Sequence, residues 1–166
     1  MAIAMGLALT AGVQGKMLDV LQSLYDNCLL SMRVSGFSGE GQTPSTGLWQ
    51  GCSLSATLFG LIIDGLHHCL ETVATAAGVQ IQHMRLRELV YADDICLMAS
   101  SLEQLQALID ALSSYCANLH MENSIPKTKF IAVSPVPAPA VAFSCNGNFI
   151  EQVTTFKYLG LHLHQP

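Results

Sequence analysis

The chain has 166 residues, of which 51% are hydrophobic and 11% charged, and its formal net charge is −5. Such sparse charge with so much apolar content excludes intrinsic disorder, and the absence of glycine or heptad repeats excludes collagen-like and coiled-coil chains. The acidic balance argues against a free-standing nucleic-acid binder, which needs a basic surface to neutralise phosphates. Because ordinary soluble domains have about 25% charged residues, the composition favours a chain that covers its apolar surface with something else, or a piece of a larger protein.

The first half of the chain is predicted to be mainly helical. Apolar residues follow helical spacing over 3–27, with a break at 12–15, and again over 53–77, where Gly78 is placed to end the helix. Between these helices, residues 30–48 combine glycine, serine and threonine with a short apolar strand. We expect a two-stranded ribbon there, with its loop near 39–41.

Strands and one helix are predicted in the second half. Two apolar arms surround Asp93-Asp94, which predicts a hairpin within 79–99 that has both acids at its tip. A helix follows, because Ser101 and Gln104 fit a capping box and an apolar stripe continues from there to Leu112.

The C-terminal region reads as a small sheet. Strands are predicted at 130–134, 141–144, 149–153 and 156–162, with a hairpin turn at Asn146-Gly147 and a stiff proline-rich connector at 135–139. We therefore expect two domains, 1–134 and 135–166.

The six cysteines are widely spaced, without a CxxC pair or a zinc-type Cys/His pattern, so buried free thiols in a reducing compartment are expected. A metal at His67-His68-Cys69 is disfavoured, because adjacent helical residues point about 100° apart. The N-terminus lacks the positive region of a signal peptide, and no uninterrupted apolar run of 18 residues occurs. The expected location is intracellular, in the nucleus or the cytoplasm, without membrane insertion.

Tyr91-Ala92-Asp93-Asp94 is the most informative stretch. Adjacent carboxylates in a tight turn repel each other unless a cation compensates. Mg²⁺ prefers hard oxygen ligands, and two such ions can activate a 3′-hydroxyl and stabilise a leaving pyrophosphate. On these four residues alone, a solvated turn is the favoured interpretation.

Four sequence boxes in order change that interpretation. The stretch Tyr91–Asp94 resembles the YxDD box of reverse transcriptases, and residues 47–59, with Gln50-Gly51 followed by Leu54-Ser55, resemble their G-x-x-Q-G-x-P-L-S-x-x-L-F box. Residues 127–129 resemble the KTK box, and residues 156–160 resemble the F-K-Y-L-G primer-grip box. The chain thus resembles the reverse transcriptases of non-LTR (LINE-type) retrotransposons over nearly its whole length.

The resemblance implies a role for each box. Asp93 and Asp94 would be catalytic acids that bind Mg²⁺, with Mn²⁺ as a substitute, and Lys127 or Lys129 would lie near the triphosphate, where one can protonate the pyrophosphate. Gln50, Gly51 and Tyr91 would contact nucleotide, template or primer end. The primer grip would comprise Phe156, Lys157, Tyr158, Leu159 and Gly160. Alternatives remain open: Tyr91 as ordinary strand packing, the lysines as a solvated edge, and the aromatic residues of the grip as core.

The sequence also departs from the family pattern. The family uses a third carboxylate in an A-F-D box, and none of Asp19, Asp26 and Glu40, the acids ahead of Gly47, matches it. We therefore expect a chain that starts after that box and lacks the template-binding fingers, so that metal binding would need the third carboxylate to be supplied. Three further departures are Trp49, where many relatives have Arg or Lys, Ser53, where most have Pro, and Ile125-Pro126, where Pro-Glu is usual.

The predicted fold class is therefore α+β: a partial polymerase palm, an antiparallel sheet backed by helices, with a small C-terminal β element. The expected function is that of a fragment of an RNA-directed DNA polymerase, inactive alone, whose intact parent binds an RNA template and a DNA primer while the fragment binds nucleic acid weakly or not at all. The alternative is a non-catalytic remnant or protein-interaction module. An unrelated α+β binding domain with a chance YADD is a third, weaker reading.

Overall fold

The computed structural model describes residues 2–43, 47–49, 51–73, 75–133 and 142–165. These residues form four helices and eleven short strands, which confirms the predicted α+β class. The chain divides into two compact units, Met1–Leu66 and His67–Pro166. The predicted domain division at residue 134 stays a prediction, and the proline-rich connector at 135–139 lies outside the described residues.

The first unit begins with two helices, as predicted from apolar spacing. Helix α1 covers Ala2–Thr10 and helix α2 covers Lys16–Asp26, and the predicted break separates them. Strands β1 (Arg33–Val34) and β2 (Phe37–Ser38) then form an antiparallel ribbon.

The predicted position of the ribbon's loop is wrong. The chain turns at Ser35-Gly36, whose φ angles of 50° and 87° suit a tight two-residue hairpin, and not at 39–41. The sequence suggested the wrong place because 39–41 has two glycines, whereas the turn uses only one.

Helix α3 covers Ser53–Val73 and crosses from the first unit into the second. Its early turns carry Leu58, which is buried with Met5 and Tyr25 in the core of the first unit. The helix ends at Val73, five residues before Gly78, so the predicted role of Gly78 as its terminator is wrong. Among the described helices, α3 alone is long and apolar enough to cross a membrane, which is weak evidence because core helices of soluble proteins pass the same test.

The second unit continues with two hairpins and a helix. Strands β3 (Val79–Ile81) and β4 (Met84–Leu86) form the first hairpin, and β5 (Glu88–Tyr91) and β6 (Asp94–Leu97) form the second, which we call the acid hairpin. Helix α4 covers Leu102–Asn118. The Oγ of Ser101 accepts a hydrogen bond from the Gln104 amide at 3.3 Å, as the capping box predicts.

The C-terminal strands form two further sheets. Strand β7 (Lys129–Phe130) pairs in parallel with β9 (Asn148–Gln152), which pairs antiparallel with β8 (Phe143–Cys145). The turn at Asn146-Gly147 confirms the predicted hairpin, with positive φ at both residues. Helix α4 packs on β8, and Ile109, Phe143, Cys145 and Ile150 form the buried centre of that core.

The prediction of a single strand over 156–162 is wrong. The structure has two strands, β10 (Thr155–Tyr158) and β11 (Leu161–His164), which form what we call the C-terminal hairpin. Leu159 and Gly160 make its turn, with φ angles of 48° and 86°. The described strands thus form five small sheets, four of them two-stranded hairpins. The α+β class and the antiparallel hairpins are confirmed, and the arrangement of these elements as a polymerase palm stays a prediction.

Candidate active site

The acid hairpin places two carboxylates next to each other at its tip. Strands β5 and β6 pair so that Tyr91 lies opposite Asp94, which leaves Ala92 and Asp93 as the two turn residues. Asp93 and Asp94 are both exposed. The predicted position of the two acids at a hairpin tip is therefore confirmed.

The two faces of the acid hairpin have different surroundings. Residues in directly paired positions share a face, and residues two apart on a strand do so as well. One face therefore carries Leu89, Tyr91, Asp94 and Cys96. The other face carries Leu97, which packs against the core of α4 and β8. Tyr91 is 65% exposed, so it does not serve as ordinary strand packing within this unit.

The base of the acid hairpin is tied to helix α3. The Nδ1 of His67 and the Oε1 of Glu88 are in hydrogen-bond contact, and the Glu88 side chain is only 8% exposed. The amide of Met98 donates to the carbonyl of Arg87 at 2.8 Å and so extends the ladder by one pair. Sequence reasoning missed the contact with His67, because an adjacent His-His pair on a helix gives no signal for its partner.

Tyr158 of the primer-grip box reaches the acid hairpin. Its hydroxyl donates to the carbonyl oxygen of Leu89 at 3.2 Å, a contact between residues 69 positions apart. Partial burial raises the pKa of Tyr158, and the negative charges of Cys96 and Asp94 raise it further. The Tyr158 hydroxyl therefore lies beside strand β5, two residues before the tip of the acid hairpin begins.

The rest of the primer-grip box lies around the turn of the C-terminal hairpin. Phe156 is half-buried on the same side of β10 as Tyr158, whereas Lys157 points the other way, opposite His162, and is exposed. Leu159 and Gly160 are exposed turn residues. The two aromatic residues of this box are therefore only partly buried, and one of them, Tyr158, is also held by a hydrogen bond.

The two lysines of the KTK box have different surroundings. Lys127 is exposed in the turn before β7, and its amide donates to the carbonyl of Ser124 at 3.0 Å. The Nζ of Lys129 forms an ion pair with the Oε2 of Glu151 at 2.6 Å. Within the described part of the chain, neither lysine forms a hydrogen bond or an ion pair with the acid hairpin.

The Gln-Gly box belongs to the first unit. Gly51 is exposed with a φ of +84°, and a Cβ there would meet no atom within 4 Å, so the backbone is open to a close approach. Gln50 lies outside the described residues. Trp49 stacks on Tyr25 with ring centroids 4.3 Å apart, which gives this residue a packing role in place of the basic side chain that the family pattern suggests.

The two carboxylates at the tip are suitable ligands for a hard cation, but they do not complete its coordination shell. Two neighbouring carboxylates are the ligands that Mg²⁺ takes from proteins, with water and substrate phosphates completing its shell. No group of three or more His, Cys, Asp or Glu side chains that could hold a metal occurs in the described residues. Asp93 and Asp94 therefore fit a metal that receives further oxygen ligands from elsewhere.

The six thiols are free, as predicted, but the prediction that they are buried is right for only two of them. Cys116 and Cys145 are buried and the other four cysteines are half-buried. Burial raises the pKa of Cys96 on the acid hairpin, and it likewise raises that of Cys116, to which the nearby Cys145 adds.

Comparison with known proteins agrees with the four boxes. Residues 10–163 match the family model described as "Reverse transcriptase (RNA-dependent DNA polymerase)". The chain is 26% identical over 153 residues to the "Retrovirus-related Pol polyprotein from type-2 retrotransposable element R2DM" of Drosophila melanogaster. That alignment covers 87% of this chain and 14% of the relative. The predicted resemblance is confirmed, and the chain belongs to the reverse transcriptase family.

Proposed function

We propose that this chain is the part of a retrotransposon reverse transcriptase that carries the paired catalytic carboxylates. The observation that carries the proposal is the acid hairpin, which presents Asp93 and Asp94 together at an exposed tip within the region that matches the family. Asp93 and Asp94 would hold Mg²⁺, whose charge favours ionisation of a 3′-hydroxyl and stabilises a leaving pyrophosphate. The partners of the intact parent would be an RNA template and a DNA primer.

The other predicted residues take roles that their surroundings allow. Tyr91 is exposed beside Asp94 and would contact the primer end or the incoming nucleotide. Lys127 has an exposed amine that could protonate the pyrophosphate, whereas Lys129 would first have to leave Glu151 to contact a nucleotide. Gln50 and Gly51 would line the template side, and the primer-grip box at 156–160, apart from the Tyr158 side chain, would lie along the primer.

Among the residues that the structure describes, no third ligating side chain joins Asp93 and Asp94, which limits what the chain does by itself. We expect the 166 residues to bind a divalent cation weakly and to extend no primer, and the polymerase activity to belong to the intact parent. A location in the nucleus or the cytoplasm follows from the nucleic acids that the reaction needs.

The test combines metal binding by the chain with catalysis by the parent. Isothermal titration with Mn²⁺ should give heat of binding for the chain, and this heat should be lost in Asp93→Asn and Asp94→Asn. Glu122→Gln removes an exposed acid outside the acid hairpin and should leave binding unchanged. In the parent enzyme, each Asp variant should abolish extension of a DNA primer on an RNA template. Unchanged extension in the Asp93→Asn parent would sink the proposal.

A non-catalytic module is the second candidate, and exposed apolar side chains favour it. Phe37 is 83% exposed and Met32 81% exposed, both at the β1–β2 ribbon, so this surface has the character of a protein contact. A wild-type chain that binds no Mn²⁺, together with a wild-type parent that extends no primer, would favour this candidate over the polymerase.

A further inference from the structure

We propose that Tyr158 is a positioning residue for the paired carboxylates, whose hydroxyl braces the acid hairpin, and that it does not serve as a primer contact. The inference rests on the proposed function for its catalytic consequence, but the brace itself is a property of the fold. It assigns a separate task to one residue of the primer-grip box.

The hydroxyl of Tyr158 is directed at the protein. Its oxygen lies 3.2 Å from the carbonyl oxygen of Leu89, to which it donates its proton. Leu89 is two residues before Tyr91 on the strand that leads to the acids. A phenol has one proton to donate, so in this geometry that proton is committed to the β5 backbone and is not offered to a phosphate.

The acid hairpin is held from two sides. On one face, Leu97 packs into the core formed by α4 and β8. Away from that core, the Tyr158 hydroxyl bonds the backbone of β5 at Leu89. Leu89, Tyr91 and Asp94 stay exposed, so Tyr158 holds the hairpin through this one hydrogen bond and does not cover it.

A brace matters here because the hairpin is intrinsically weak. A two-stranded hairpin alone is marginal in water. At its tip, two adjacent carboxylates repel each other, and Ala92 has a φ of +51°, which is unfavourable for a residue with a Cβ. Opening of the tip would unpair Tyr91 from Asp94 and change how the two carboxylates are oriented, and the bond from Tyr158 opposes that opening.

Tyr158→Phe tests the brace in the 166-residue chain, because it keeps the ring and removes only the hydroxyl. The readout is amide hydrogen exchange of residues 88–97, measured by NMR without metal. We expect exchange to become about fivefold faster, the factor that corresponds to loss of one hydrogen bond of about 1 kcal/mol. Amides of β8 and β9 should keep their rates, which would show that the fold is intact. Equal exchange in wild type and variant would overturn the proposal.

The matched control is Tyr25→Phe in the first unit. The Tyr25 hydroxyl lies 3.2 Å from the Oγ of Ser55, so this variant also removes one tyrosine hydroxyl from one contact. It should leave exchange of the acid hairpin unchanged. A similar acceleration in both variants would mean that loss of any such hydroxyl loosens the fold, which contradicts a specific brace.

Kinetics of the parent enzyme separate positioning from primer contact. The variant that corresponds to Tyr158→Phe should lower kcat for primer extension and leave KM for primer–template unchanged. A raised KM at unchanged kcat would instead identify Tyr158 as a primer contact. A wild-type parent that extends no primer would contradict the proposed function while the exchange result still stands, so the two failures are distinguishable.

Discussion

Ala92 occupies the most demanding backbone position at the tip of the acid hairpin. Its φ is +51°, where the Cβ of an L-residue crowds the following carbonyl. Two-residue hairpin turns with positive φ at their first position prefer glycine there. The alanine therefore stores strain at the point where the two carboxylates are set side by side.

Replacement of Ala92 by glycine should stabilise the chain. Relief of the positive-φ strain exceeds the extra entropy of glycine in the unfolded chain, so we expect a gain of about 0.5–1 kcal/mol in the free energy of unfolding, measured with urea. The control is Ala107→Gly, an exposed alanine in helix α4, which should lose about 0.5–1 kcal/mol. A decrease in the free energy of unfolding for both variants would contradict the inference that Ala92 is strained.

At the scale of single residues, the sequence predicted where the acids lie but not how they are supported. Apolar arms and adjacent acids indicate a hairpin tip, and pairing of Tyr91 with Asp94 agrees. The contact of Tyr158 with Leu89 joins residues 69 positions apart, and no local pattern contains such a pairing. The positive φ of Ala92 could likewise not be predicted from the sequence, because alanine is not typical of turns.

At the scale of elements, the backbone passes close to itself at the start of strand β3. Gly78 has a φ of +120°, and a Cβ there would lie 2.9 Å from the carbonyl oxygen of Leu86 and 3.2 Å from the Cβ of Arg87. Gly78 thus allows the end of β4 to pass close to the start of β3, immediately before the acid hairpin begins.

Gly78→Ala should destabilise the second unit. Both the positive φ and the contact with a backbone oxygen are unfavourable, and we expect a loss of about 2 kcal/mol in thermal unfolding. Gly60→Ala is the control, because Gly60 is a helical residue with open space around it and should gain about 0.5–1 kcal/mol. A Gly78 variant as stable as wild type would show that the backbone shifts without cost.

Helices were predicted well and turns less well, for a physical reason. Helix α4 shows both a capping residue and a sustained apolar stripe, so its beginning at Leu102 was predictable. The turn at Leu159-Gly160 was missed because apolar residues continue through it, and a single glycine is also found inside strands. The parallel pairing of β7 with β9 could not be predicted, because a local sequence pattern does not identify the partner of a strand.

At the scale of the whole molecule, two thiols and one phenol with raised pKa values predict that the folded chain becomes less stable at alkaline pH. Burial raises the pKa of Cys96 and Cys116 above their ordinary value of 9.0, and that of Tyr158 above 10.0. Between the unfolded and folded pKa values, the native state binds more protons than the unfolded state, so its stability falls as pH rises. The stability from these groups is complete below about pH 9 and is lost above it.

The urea midpoint should therefore decline above about pH 9, and the decline should be smaller in the double variant Cys96→Ala, Cys116→Ala. Comparison of the slopes isolates the two thiols from lysine titration, which is common to both proteins. Parallel pH curves for the two proteins would contradict the suppressed ionisation.

The contact between Leu89 and Tyr158 can form only late during translation of this segment. The two residues are 69 positions apart, so a ribosome that adds about 5–20 residues per second produces Tyr158 about 3–14 s after Leu89. A hairpin forms in about 1–10 μs, so the acid hairpin can close long before its brace exists. A nascent chain paused in this interval would carry both carboxylates in a tip that opens freely, until synthesis of the C-terminal hairpin supplies Tyr158.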